Sequence, residues 1–298
     1  MTGGPAAPPG PVVNGETTKR RGRGWLLLVP GMLYLAAFFL FPTIQLFFTS
    51  LYDPNGSFEQ GYAMTWQFAN YVDAVRDTWN LFVRSFVFAG IATAACLLLG
   101  YPLAYAIAFK AGRWKHVLLV LVIAPFFTSF LLRTLSWRTI LSDQGPVTSF
   151  LQTIAILPDD GRLLATPVAV IAGLTYNFMP FMTLPIYASL DKVDHRLVEA
   201  AGDLYASPFT GFRKVTLPLS LPGVVAGTLL TFIPASGDYI NAELLGTPKQ
   251  YMVGNRIQSA FLTERNYPLA ASLSLILMAV VVLMVIVYVR RAGTEDLL

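Results

Sequence analysis

Five stretches of the 298-residue chain exceed 20 residues without a single Asp, Glu, Lys, Arg or His: 24–52, 85–109, 163–190, 215–237 and 266–289. A helix of about 20 apolar residues spans the ~30 Å hydrocarbon core of a bilayer. Inside lipid the backbone has to satisfy its own N–H and C=O groups, and helix is the simplest way to do so. A sixth run, 117–132, has only 16 residues before Arg133. It extends to Ile140 if Arg133 and Arg138 lie near the membrane surface or face protein. The expected fold is therefore an all-α membrane protein with six transmembrane helices. Composition agrees, with 55% hydrophobic and 13% charged residues and a mean hydropathy of +0.57. A soluble domain carries about twice that charged fraction.

Cation placement sets the orientation. With a cytosolic N-terminus, 13 of the 21 Lys and Arg residues fall inside, grouped at 19–23, 110–115, 192–214 and 290–291. Both termini are then cytosolic. Residues 1–24 are expected to form a disordered cytosolic tail, 25–290 the membrane domain and 291–298 a short cytosolic tail. The first apolar run is too long for a signal peptide and reads as a retained anchor. The positive balance of +4 reflects orientation. Nucleic-acid binding needs a clustered basic face, which this sequence lacks. Cys96, the single cysteine, cannot form an intrachain disulfide. His116 and His195 flank cytosolic cations and read as interfacial side chains. No P-loop, H-E-x-x-H, C-x-x-C or G-x-S-x-G pattern occurs, so no ATP site and no catalytic residue is expected in this chain. A stand-alone secondary transporter would place ionisable residues within its spans. Five of these spans have none, so that reading is the weaker one.

Small residues Gly90, Ala94 and Ala95 are candidates for close helix contact in the second span. Outside, the spacing of Val147, Phe150, Leu151, Ile154 and Leu157 predicts a short amphipathic helix within 142–157.

The polar insert Val198–Gly223 stands between two apolar runs and carries Glu199, Asp203, Arg213 and Lys214. Each charge would cost roughly 2.5–3.5 kcal/mol at a bilayer centre, so the insert belongs in water. Glu199-Ala200-Ala201, followed at fixed spacing by Val215-Thr216-Leu217-Pro218, resembles the EAA loop of permease subunits in binding-protein-dependent ABC importers. In that family the loop is a cytosolic elbow that docks into the ATPase subunit. The resemblance assigns the coupling loop to 191–218 and ATPase coupling to Glu199, Ala200, Ala201, Gly202, Tyr205, Leu217 and Pro218. The family has Gly where this chain has Tyr205, and Gly202 is expected to supply the lost bend. The docking helix is expected over 199–207.

Further stretches, 99–104, 129–134 with Trp137, 237–246, 253–258 and 267–271, resemble the spermidine/putrescine-type permeases. The similarity covers roughly residues 26–290 and implies the type I ABC importer permease fold. It implies a second permease subunit, two ABC ATPase subunits that carry ATP and Mg, and an extracytoplasmic substrate-binding protein. It also implies a place in a bacterial inner membrane. Polyamines are the expected substrate, with thiamine, ferric iron, phosphonate or opine as alternatives within the same subfamily. For a cation, the path is expected to use Asp238 and Glu243 beside Tyr239, with Tyr176 and Asn177 deeper in the fourth span. The competing reading is that Asp238 caps a helix, or pairs with Arg256 or Arg265.

Overall fold

Helix is the only extended regular structure among the described residues, which in this computed structural model are 24–56, 59 and 61–292; an isolated bridge joins Tyr52 and Met64. The tails expected at 1–24 and 291–298 lie almost wholly outside those residues. The chain divides into two units between Gln45 and Leu46.

The first unit contains α1 (Gly24–Leu35), a π turn over Ala36–Leu40 and the start of α2 (Phe41–Ser50). Pro42 brings no N–H to the ladder, and Thr43 donates its hydroxyl to the Phe39 carbonyl at 2.7 Å. Backbone and side-chain polar groups are thus met locally, as lipid demands.

The second unit begins within α2 and continues with α3 (Ala69–Tyr105), α4 (Lys115–Ile123), α5 (Phe130–Ile140), α6 (Pro146–Thr153) and α7 (Pro167–Leu190). It then runs through α8 (His195–Asp203), α9 (Pro208–Gly211), α10 (Leu217–Ser236), α11 (Ile240–Leu245), α12 (Val253–Gln258) and α13 (Tyr267–Ala292). Among the described residues, five helical segments are long and apolar enough to cross a membrane: Leu28–Ser50, Ala69–Lys110, Pro167–Leu190, Pro208–Ser236 and Tyr267–Arg291. A bent pair, Gly112–Phe127 and Phe130–Ile140, brings the number to six.

That bent pair corrects the simplest form of the third span. The helix does not extend straight from the 117–132 run to Ile140; its halves meet at 97°. Pro125 sits in a 3-10 turn over Ala124–Phe127, Thr128 is extended at φ −106° and ψ 142°, and Ser129 has ψ 136°. Two consecutive residues with β-type ψ angles cannot continue a helix.

The centre of the second unit is α3 packed on α7 and α10, around Ala89, Ala92, Cys96, Leu174, Met182 and Ile186, all fully buried. Lipid is as apolar as leucine, so helices associate through close packing rather than water exclusion. The small stripe that achieves this on α3 is Ala89, Ala92, Cys96 and Gly100, spaced three or four apart. Gly90 and Ala94 do not take part: Gly90 has open space where a Cβ would stand and Ala94 is exposed. The register of α3 turns the first set toward α7. On α10, a Cβ at Gly223 would lie 2.5 Å from the Pro185 carbonyl oxygen, so only glycine permits that crossing. The amphipathic helix expected within 142–157 is α6, with Val147 against the core and Phe150 exposed.

Candidate functional site

The polar insert folds as an elbow. Asp194 has extended backbone and its carboxylate accepts the Arg196 N–H at 2.9 Å, an N-cap that starts α8. Glu199, Ala200, Gly202 and Asp203 are exposed along this helix, while Ala201 is half-buried and approaches Gly211 of α9. The helix ends at Asp203, short of the expected 207. Ala206 donates its N–H to Ala201 and Tyr205 to Gly202, at 3.0 and 2.9 Å. This pair of bonds is the Schellman arrangement, whose C′ residue adopts the left-handed region and is usually glycine. Here that residue is Tyr205, at φ 58°.

The bend is therefore carried by Tyr205 itself and not by Gly202, as the sequence led us to expect. Gly202 lies inside the helix, with nothing within 4 Å of a Cβ placed on it. The fold reproduces the glycine-type turn and accepts strain at a residue with a Cβ. Tyr205 is 99% exposed, Leu204 82% and Phe209 71%, so the outer face of the elbow is apolar and uncovered.

Ser207 caps α9 by accepting the Thr210 N–H, and a π turn over Phe212–Thr216 joins α9 to α10. Phe212 stands edge-on to Tyr101 and Tyr105, with ring centroids 5.7 and 6.0 Å away. The Tyr101 hydroxyl meets the Ser220 hydroxyl at 2.8 Å. Leu217 packs against the core and exposed Pro218 opens α10. Leu217 and Pro218 thus root the elbow in the membrane domain, whereas Glu199, Ala200, Gly202 and Tyr205 form its free surface.

The other expected site residues divide into three places. Asp238 is buried beyond the end of α10. Its Oδ1 accepts the backbone N–H of Asn241 at 2.8 Å and the Asn241 side-chain N–H at 3.2 Å, so it caps α11. Burial pushes its carboxyl up to about 6, against the lowering effect of those bonds. Asn241 in turn accepts from the Asn177 amide at 3.1 Å, and the same Asn177 amide nitrogen donates to the Thr134 hydroxyl at 3.2 Å. A buried chain of polar groups thus ties α5, α7 and the α10–α11 corner. Asn177 Oδ1 has no hydrogen-bond partner among the described residues. The network is short of donors, and such a group is costly to leave unpaired.

Glu243 and Tyr239 are exposed and do not join this network. Glu243 borders a 360 Å³ cleft with Tyr251, Asn255 and Arg256. Arg256 donates to Glu264 and holds that carboxyl below its ordinary range, so Arg256 does not serve Asp238. Tyr176, next to Asn177 in sequence, turns to the Trp137 ring at 5.2 Å and borders an apolar cleft of 280 Å³ with Leu121, Pro125 and Met179. Sequence reasoning missed Asn241, Thr134 and Trp137 as neighbours. The Asp238-x-x-Asn241 spacing is a capping signal; the contacts of Asn177 join residues 43 and 64 positions apart and have no local signature.

Comparison with known proteins places this geometry. Residues 97–292 match the model of the family described as "Binding-protein-dependent transport system inner membrane component". The chain is 38% identical over 278 residues to the spermidine/putrescine transport system permease protein PotB of Haemophilus influenzae, covering 89% of this chain and 90% of that protein. It is 36% identical over 271 residues to the PotB protein of Escherichia coli strain K12, covering 90% and 94% respectively. Its fold matches a chain in the crystal structure of a bacterial ABC transporter that imports the acidic polysaccharide alginate, with a TM-score of 0.66 and 19% identity over 92% of this chain and 97% of that one. The chain belongs to the inner-membrane component family of binding-protein-dependent transport systems, as a multi-pass permease.

Proposed function

We propose that this permease forms half of the translocation path of an ATP-driven polyamine importer, in which ATP and Mg are held by two partner ATPase subunits. A second permease subunit completes the path, and an extracytoplasmic binding protein delivers spermidine or putrescine. The observation that carries the substrate class is the 36–38% identity to two spermidine/putrescine permeases over about nine-tenths of the chain. The exposed elbow of α8 supports the coupling role: it is capped at both ends, small at Ala200 and Ala201, and apolar on its outer face. Glu199, exposed on α8, would pair with a basic group of the ATPase.

The path residues are read in the same terms. A protonated amine offers N–H donors and a charge, and the network holding Asp238 and Asn177 has acceptors to spare. Tyr239 and Glu243 stand exposed ahead of it, and Tyr176 with Trp137 offers aromatic faces, each contributing about 0.5–2 kcal/mol to a cation. Asp238 caps α11 through Oδ1 and would meet a cation from the same buried corner.

Uptake of labelled spermidine tests this in cells that lack their own polyamine uptake and express the chain with its partner subunits. Uptake should appear and compete with unlabelled putrescine. Uptake of thiamine or ferric iron in its place would replace the substrate class. Orientation has its own test in a Cys96→Ala background. Cysteines at exposed Asp160 and Lys249 should react with an impermeant thiol reagent from outside, and one at Tyr205 only after the membrane is opened. The reverse pattern would invert both termini.

A further inference from the structure

The third span holds a cation that the polyamine path does not explain. Arg133 is 8% exposed, and its Nε and Nη1 have no hydrogen-bond partner among the described residues. Its guanidinium carbon lies 5.6 Å from the ring centroids of both Phe126 and Phe130. Those two rings flank the break at Thr128–Ser129, so the guanidinium stands beside the break itself. Ring faces supply part of what a buried cation needs, but they do not accept N–H hydrogens in the plane of the guanidinium fork.

The same break opens a helix. α5 runs for 11 residues from Phe130, and Ser129 at its N-cap makes no side-chain capping bond. The first N–H groups of a helix have no intrahelical partner, and the end carries about half a positive charge. An uncapped N-terminus and an unpaired guanidinium therefore converge on one spot, and both call for an anion. Thr128 and Ser129 are exposed and Phe127 is 89% exposed at the mouth of this spot, with Arg133 Nε and Nη1 buried behind them. A polyamine cannot serve there, because it would meet like charge.

We propose that the break in the third span is a binding site for the phosphate of a membrane lipid. The surroundings favour a lipid over a soluble anion: Phe127, Leu131, Leu132 and Leu135 lie exposed around the site, in reach of acyl chains. Depth agrees. From Lys115 on the cytosolic side, α4 and the 3-10 turn rise about 21 Å, which sets the break in the outer part of a ~30 Å core. The lipid would stabilise the bent geometry, because the anion binds only where α5 starts anew.

The test uses the purified complex in detergent and reads its thermal unfolding and bound lipid. Phosphatidylglycerol should raise the unfolding temperature, whereas a glucosyl diacylglycerol with the same chains and inorganic phosphate alone should not. Arg133→Gln should bind phosphatidylglycerol about fivefold more weakly, the loss expected for one basic contact near a membrane surface. Without lipid, Arg133→Gln should be no less stable than the wild type, because removing an uncompensated buried charge is not costly. Ser129→Asp provides a second variant that keeps the arginine: its carboxylate would cap α5 and neutralise Arg133, so the complex should assemble and lose its phosphatidylglycerol dependence. Equal lipid response in wild type and both variants would overturn the site. A response to inorganic phosphate alone would make it a soluble-anion site and overturn the lipid. Loss of the second permease from the Arg133→Gln complex would assign the arginine to a protein carboxylate instead.

Discussion

Tyr205→Gly separates the backbone of the α8–α9 elbow from its surface. Tyr205 holds φ at 58° and is 99% exposed, so the substitution removes strain without removing packing. A residue with a Cβ costs roughly 1–2 kcal/mol in the left-handed region. Glycine returns about 0.5–1 kcal/mol of that through the entropy of the opened chain. The closed turn should gain about 1 kcal/mol, or close to fivefold in its opening equilibrium. Hydrogen exchange reads this directly, because the turn is held by the N–H groups of Leu204, residue 205 and Ala206, bonded to Ala200, Gly202 and Ala201. Those amides should exchange about fivefold more slowly in Tyr205→Gly, and faster than wild type in Tyr205→Val, whose β-branch suits φ > 0 least. Unchanged or faster exchange in Tyr205→Gly, with Tyr205→Val silent, would refute the strained turn. Transport measured on the same variants then isolates the ring: slower exchange with lost coupling would make the Tyr205 side chain a contact to the ATPase.

Ala200→Trp should leave membrane insertion intact and abolish substrate-stimulated ATP hydrolysis; normal coupling would remove α8 from the interface. Gly202→Val should cost well under 1 kcal/mol in helix propensity and leave transport near wild type, since its Cβ meets open space. Gly223→Val should instead prevent a stable fold, seen as loss of the chain from the membrane fraction, because its Cβ would collide with Pro185 and Ser189. Asp238→Asn with Glu243→Gln should slow spermidine uptake with assembly and basal ATP hydrolysis kept; unchanged uptake would make both carboxylates structural.

The spans were legible because lipid forbids uncompensated charge, so each long uncharged run had one structural outcome. The third was only half legible. Arg133 and Arg138 showed that the run was interrupted, but the 97° bend depends on the backbone of Thr128 and Ser129, which no periodicity records. Asp194 and Ser207 cap α8 and α9 through bonds that only the structure shows. The turn at Tyr205 is hidden in the sequence, because tyrosine is a poor left-handed residue and the nearest glycine, Gly202, is the more obvious place for a bend. The surrounding chain determines φ there: two carbonyls at Ala201 and Gly202 wait for donors, and only a left-handed residue delivers them. Around Asp238 the local cap could be read from Asn241, three residues on. The link to Asn177 and Thr134 could not, since tertiary packing alone brings those helices together.

The continuous helix from Pro208 to Ser236 also has a mechanical meaning. At 29 residues it is a connecting rod of about 43 Å between the elbow and the Asp238 corner. Its lower joint is the π turn at Phe212–Thr216, wedged against Tyr101 and Tyr105, and Pro222 is a second compliant point. Converting one π turn to α would rotate the rod by about 100°, the angle of one residue, without unwinding it. A displacement at the elbow would reach the Asp238 corner as rotation as well as translation, through a segment five residues long.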